Sequence, residues 1–356
     1  MERSPDGHLD PPRSAAIDLI KALAIVSVIC LHSISYGTFR HTGGIFHIGQ
    51  AVPVFVVLLG INGARSLRRR GGHGLRELYG NNYLALRFDR LYTPFLIVFA
   101  VALLAVGVFG GPHYSPYALG KRLLSGELPL IGPGEYFVTL LFQVAVLLPL
   151  LYWGIRRWPH RALFVCLMIT IGYEVLMLDT NLTTTNAFFG EACIARYVLL
   201  MAIGCVIADT PPVRLLRSPW LWCGGALSVV YLSVSSYADT QATSVGQLSA
   251  TVFYPTLLVV IGMTCRRFAD GRLMQAAATT GRASYHIFLM QIVWFAIGVW
   301  GIDSLPALVG NIAVTVGVGV AFYKLMARWP PPSAVALLAR QRKTARASVA
   351  AARPAR

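Results

Sequence analysis

The chain has 356 residues, of which 56% are hydrophobic and only 13% charged, whereas a soluble domain carries roughly a quarter charged residues. An ordinary water-soluble globular fold is therefore excluded as the frame. The formal net charge of +16 would suit a nucleic-acid partner, but the positive residues sit in alternate loops between apolar stretches, which is the mark of membrane topology and speaks against nucleic acid.

Apolar runs of about twenty residues, the length that crosses roughly 30 Å of hydrocarbon as a helix, predict helices near 17–36, 48–64, 88–110, 133–153, 162–180, 190–208, 219–237, 247–265, 283–300 and 306–326. The fold class is all-α, a polytopic bundle of about ten transmembrane helices. Basic residues follow the even-numbered segments, from Arg65 to Arg90, at Arg156, Arg157 and Arg161, at Arg214 and Arg217, from Arg266 to Arg282, and from Arg328 onward. The intervening loops are nearly bare of them, so both termini are expected in the cytoplasm, at a bacterial inner membrane. Residues 1–16 read as a cytoplasmic segment, 17–326 as one membrane domain, and 327–356 as a basic, disordered tail able to touch anionic lipid headgroups. The first apolar run is broken early by Asp18 and Lys21 and lacks a small-residue cleavage pattern, so it reads as a retained signal anchor. The six cysteines fall in or beside apolar runs without paired spacing and read as small buried hydrophobes. No ligand cluster suggests a metal.

In chain order, the first helix holds the clearest chemistry. Asp18 and Lys21 share a face near its cytoplasmic edge, as a local ion pair or with Asp18 orienting a nearby arginine. His32 follows Asp18 by 14 residues, about 21 Å along the axis. A histidine deep in a membrane domain is costly and suits proton transfer, although it also serves as hydrogen-bonding glue between helices. Arg87 and Arg90, three apart where the third helix leaves the cytoplasm, can present two guanidinium forks to one phosphorylated ligand, or can simply anchor the helix. The loop Gly111–Pro133 is the longest on the outer side and holds Tyr114, Lys121, Arg122 and Glu127. Its aromatic and polar groups, with the patch from Asp179 to Asn186, suit a sugar or equally an interfacial belt. Glu135 and Tyr136 open the fourth helix, which continues through Gln143. Glu135 can act as base or acceptor, or sit as a carboxylate at a helix N-terminus. Arg196 lies six residues inside the sixth helix, with Glu191 before it, too deep for a plain anchor, and needs a partner the sequence does not name. His286 and Gln291 on the ninth helix read chiefly as packing and interhelical hydrogen-bonding groups.

Together these segments resemble the membrane-bound acyltransferase-3 family, which includes the O-acetyltransferases of exopolysaccharides, O-antigens and nodulation factors. Asp18, Lys21 and His32 match the family's first-helix pattern. Val52 to Gly60 is similar to its second segment, with Leu59 where serine is usual. Arg87 and Arg90 match its Arg-x-x-Arg pair, Gln143 with Pro149 its fourth block, and Arg196-Tyr197 with Gly204 its Arg-Tyr helix. Leu141 and Phe142 replace acidic residues found in some subgroups, Gln291 stands where many relatives have histidine, and Arg13 is one residue further from Asp18 than usual. The resemblance implies His32 and Asp18 as catalytic residues, with Arg87, Arg90, Arg13 and Lys21 holding the coenzyme A donor. Glu135, Tyr136, Gln143 and Arg196 would meet the acceptor. No permanently bound cofactor is implied. Acetyl-CoA or another short acyl-CoA is the expected donor, a polysaccharide or lipid-linked oligosaccharide the expected acceptor, and the polysaccharide assembly machinery a further expected partner. A transporter or flippase for a lipid-linked sugar is the alternative, but the repeats and broken midplane helices it calls for are weak here. A scaffold role would make His32 silent.

Overall fold

In a computed structural model the protein is described over residues 15–72, 74–80, 82–109, 112–130, 132–179, 192–238, 244–264, 271–297 and 304–329. Its helices are α1 (Ala15–Ser33), α2 (Tyr36–His41), α3 (Ala51–Arg69), α4 (Leu75–Tyr79), α5 (Tyr83–Phe109), α6 (Pro116–Ser125), α7 (Tyr136–Arg157), α8 (Pro159–Asp179), α9 (Val198–Asp209), α10 (Pro212–Leu216), α11 (Pro219–Ala238), α12 (Ser244–Thr264), α13 (Arg272–Ala296) and α14 (Leu305–Arg328), and no strand occurs among the described residues. Among the described residues six segments are long and apolar enough to cross a membrane, and three shorter apolar helices lie within α9, α11 and α12. With α13, each of the ten predicted segments coincides with a helix, and the fold is a polytopic helical bundle.

Three boundaries differ from the hydropathy pattern, each for a physical reason. α13 starts eleven residues before the predicted 283, because its first turns carry Arg272, Gln275, Thr279 and Arg282, which an apolar window does not register. α5 starts at Tyr83, so Arg87 and Arg90 stand inside a helix rather than at its edge. α9 begins only at Val198, and Arg196 belongs to a 3-10 turn, Ile194–Arg196, ahead of it. The expectation that Arg196 lies well inside a helix is therefore corrected.

Large apolar side chains such as Leu104, Val108, Phe164 and Leu227 face outward, as suits a hydrocarbon solvent. Inside, lipid offers no hydrophobic drive between helices, so small residues that let backbones approach decide the crossings. A Cβ at Gly60 would strike the backbone of α9 at Met201, and one at Gly204 would strike α3 at Val57. A Cβ at Gly281 would run into the Asp18 carbonyl, fixing α13 against α1, and one at Gly319 would meet Ile287. α1 thus packs on α13, α13 on α14, and α3 on α9.

Prolines interrupt α5 at Pro94 and α7 at Pro149. Each removes a ladder donor, and in both helices a tyrosine from elsewhere serves a carbonyl three residues earlier. Tyr285 donates to Leu91 O at 2.7 Å and Tyr79 to Val146 O at 2.5 Å. The outer loop also departs from expectation. It contains α6 and folds back onto the bundle: Tyr92 donates to Leu123 O at 3.1 Å, and Leu128 is fully buried. Tyr92 lies 17 residues before the end of α5, about 25 Å along that helix, so this segment packs deep and is no surface turn.

Candidate functional site

Two polar stations occupy opposite ends of the bundle. At the end away from the arginine-rich loops, His32 stands in the last turn of α1, its ring edge-on to Phe295 with centroids 6.0 Å apart. The ring's Nε2 faces the loop that enters α7, and a Cβ placed on Gly134 would lie 3.6 Å from it. Gly134 has φ +84°, a left-handed conformation that favours glycine. Gly132 leaves no room for a side chain, because a Cβ there would clash with the Ile292 carbonyl. The pair of glycines explains why this loop can wedge between α1 and α13 and bring the backbone just before Glu135 to the imidazole.

Glu135 answers to a cation from the folded-back segment. Arg122 Nη1 lies 3.9 Å from Glu135 Oε2 and 3.7 Å from Glu127 Oε2, donates to Leu128 O at 2.6 Å, and its guanidinium sits 4.8 Å over the Tyr114 ring. Burial pushes the Glu135 carboxyl up to about 7, with Arg122 opposing that rise and Glu127 adding to it. A carboxyl poised there can exchange a proton near neutrality.

Two further observations place the imidazole. Trp294 Nε1 donates to Asn311 Oδ1 at 3.0 Å, Asn311 Nδ2 donates to Ser33 Oγ at 3.2 Å, and Ser33 Oγ donates to Ile29 O at 2.7 Å. This chain ties α13 and α14 to the residue after His32. Gln291 is fully buried, and neither end of its amide has a hydrogen-bond partner among the described residues. It lies three residues after Phe288, which faces Gly134, and four before Phe295, which faces His32, so helical spacing puts it on the same face. Its amide therefore leaves both a donor and an acceptor on this face.

The other expected acceptor residues gather one layer away. Arg196 Nε pairs with Glu174 Oε1 at 3.3 Å, the partner the sequence left unnamed, with Tyr197, Tyr173 and Tyr136 around the guanidinium. Gln143 donates to Ala192 O at 2.7 Å and to Thr139 O at 3.3 Å, and accepts from Ile194 N at 3.1 Å. Its amide is thus committed to holding the backbone that presents Arg196. His286 faces α14, with ring centroids 5.1 Å from Phe322 and 5.4 Å from Tyr323. Arg13, Glu191, the polar patch beyond Asp179 and the tail from Pro330 lie outside the described residues.

At the arginine-rich end, Asp18 is buried against Gly281, with Lys21 half-buried one turn on. Arg87 lies 5.6 Å from the centre of the Tyr83 ring, and Arg70, at 5.3 Å, shares that ring. Burial, then Arg87, with Arg90 adding, holds Arg70 below the usual guanidinium range against the pull of Tyr83. Such crowding of like charges suits a polyanion. Arg70, Ser33 and Asn311 were not singled out from sequence, and Arg122 was named only as one of the outer-loop groups. Arg122 had one signal, as a cation in an otherwise bare outer loop, and Asn311 another, as an amide in an apolar helix. A groove of about 520 Å³ on a flank is lined by Ile97, Val101, Met290, Phe322, Lys324 and Arg328, and it contains none of these groups. Among the described residues no cluster of histidine, cysteine or carboxylate is arranged to hold a metal.

The profile of a family described as an acyltransferase domain matches residues 14–324, which takes in both stations. No curated protein and no solved structure matches the chain.

Proposed function

This chain belongs to the acyltransferase-3 family and is a multi-pass membrane acyltransferase, and from that premise we propose that it moves a short acyl group, acetyl in the first place, from cytoplasmic acyl-CoA to a sugar hydroxyl of an exported polysaccharide or lipid-linked saccharide at the bacterial inner membrane. One observation carries the proposal. The loop that carries Glu135 reaches His32 at one end of the bundle, while a crowd of guanidinium groups stands at the other, and Asp18 and His32 mark the two levels on a single helix, about 21 Å apart along its axis. That interval is comparable with an extended pantetheine arm.

In this mechanism Arg70, Arg87 and Arg90 take the phosphates of the donor and the thioester rises toward His32. The acceptor hydroxyl gives its proton to His32 as its oxygen attacks the acyl carbon. The new C–O bond forms as the C–S bond breaks, and the proton passes from the imidazole to the departing thiolate. Arg122 and Glu135 hold sugar hydroxyls beside the imidazole, and the Gln291 amide meets the acyl oxygen or the acceptor. Ser33 and Asn311 keep His32 in place.

The test is coenzyme A release from acetyl-CoA by purified protein in liposomes, with candidate sugars supplied. Wild type is compared with His32→Ala and with Arg87→Ala/Arg90→Ala, each first shown to be inserted and folded. Loss of release in the first and a raised donor requirement in the second are expected. Folded wild type that neither binds nor turns over any short acyl-CoA would sink the donor assignment.

A further inference from the structure

Beyond the arginine cluster, α4 and the last turn of α7 enclose a cavity of about 340 Å³ lined by Gly72, Leu78, Trp153, Arg156 and Arg157. It offers one broad aromatic side chain, two guanidinium groups and a glycine backbone, and among the described residues no carboxylate lines it. The walls are braced. Trp153 meets the Trp158 ring edge-on at 5.2 Å, Arg157 lies 5.1 Å over Trp158, and Arg156 lies 5.8 Å over Tyr152. The Tyr79 hydroxyl pins α4 to α7 through Val146 O. The Tyr79 ring then touches Tyr83 edge-on at 6.2 Å, and Tyr83 carries Arg70 and Arg87. Tyr79, next to Leu78 of the cavity wall, thus connects α4 to the ring that carries the arginine cluster.

Membrane anchoring explains arginines at a helix end, since each can reach a headgroup separately. It does not call for two of them to line one cavity with a braced indole. That combination suits a purine nucleotide, whose base stacks on an aromatic face while its phosphates take the forks. We propose that this cavity binds the nucleotide end of the acyl donor, a 3′-phosphorylated adenosine diphosphate, with adenine against Trp153 and the 3′-phosphate at Arg156 and Arg157. The inference rests on the acyl-CoA reading above. The spacing fits it: Trp153 lies 18 residues after Glu135 on α7, about 27 Å along the axis. That is beyond the level the pantetheine arm must span, so the adenosine is the part of the donor that arrives here.

The experiment uses full-length protein in lipid nanodiscs and two donors, acetyl-CoA and acetyl-4′-phosphopantetheine, which lacks the nucleotide. Calorimetric titration with adenosine 3′,5′-bisphosphate is run in parallel. Trp153→Ala and Arg156→Gln/Arg157→Gln are expected to weaken bisphosphate binding about tenfold, and to lower the ratio of kcat/KM for acetyl-CoA over the truncated donor by a similar factor, while Trp153→Phe retains most of both. An unchanged ratio with unchanged nucleotide binding overturns the proposal. So does an effect of the arginines with none from Trp153, which marks an anionic lipid headgroup. If wild type turns over neither donor, the acyl-CoA reading fails. The titration then still decides whether the cavity is a nucleotide site.

Discussion

The two ends of the bundle are built by different physics. At the arginine-rich end long, flexible cations lean on buried aromatic rings, with Arg70 and Arg87 on Tyr83 and Arg156 on Tyr152. At the other end the loop facing the imidazole is tightly fitted, with no space for a Cβ at Gly132 against Ile292 and with Gly134 in a left-handed conformation opposite His32. The difference follows from the tasks proposed for them. Holding a flexible polyanion needs charge and adaptable reach, whereas transferring a proton during acyl transfer needs a fixed distance. Substitutions at the first end should act on donor requirement, and those at the second on turnover.

The largest expected effect is that of His32→Ala, a loss of about 10²–10⁴-fold in coenzyme A release with the thermal unfolding profile preserved. A loss confined to KM would blur the contrast between the ends. Gly132→Ala should come next. Its Cβ collides with the Ile292 carbonyl, so overpacking is expected to cost about 1–3 kcal/mol of stability and to lower turnover with little change in donor KM, read by kinetics and melting in detergent. Gln291→Leu separates function from structure. Removing an amide that has no partner among the described residues should leave the melting temperature unchanged or raised while turnover falls about tenfold, and a clear drop in melting temperature would show that the amide is structural glue.

Glu135 gives a pH test with a definite sign. Its carboxyl titrates near about 7 in the fold against an ordinary 4.5, so between those values the folded chain holds a proton that the unfolded chain has lost. The stability it contributes is complete below the lower value and is lost as pH rises through the upper one. Wild type should therefore lose ground against Glu135→Gln in melting experiments taken from about pH 5 to about pH 8. The opposite slope would mean that the ion pair with Arg122 outweighs burial. The smallest effect belongs to Arg68→Ala. Its pair with Asp209 is about half exposed on both sides, and such surface pairs are worth roughly 0–1 kcal/mol.

Much of the arginine-rich end was legible in the sequence, because charge in alternate loops and the Arg87–Arg90 spacing are local patterns. Arg70 escaped notice as one of a run of arginines, and only its meeting with Arg87 on Tyr83 distinguishes it. At the other end the sequence marked His32, Glu135, Tyr136, Gln143 and Arg196 separately. That the loop leading to Glu135 reaches His32 depends on a two-glycine wedge, and that Glu135 has Arg122 for company depends on α6 folding back to Tyr92. Gln143 shows the limit of motif matching, since its amide is spent on the backbone at Ala192 and Ile194.

By itself the sequence determined that the chain is a polytopic helical membrane protein, where its helices run, and that its first helix holds an ionisable pair. These depend on composition and period, which are local and additive along a chain. The tertiary structure decided which polar groups share a station, that the long outer loop packs inward, and that an indole and two guanidinium groups line one cavity. Those facts depend on close approaches between helices far apart in sequence, where one Cβ more or less at Gly132, Gly204 or Gly281 decides whether two surfaces can meet.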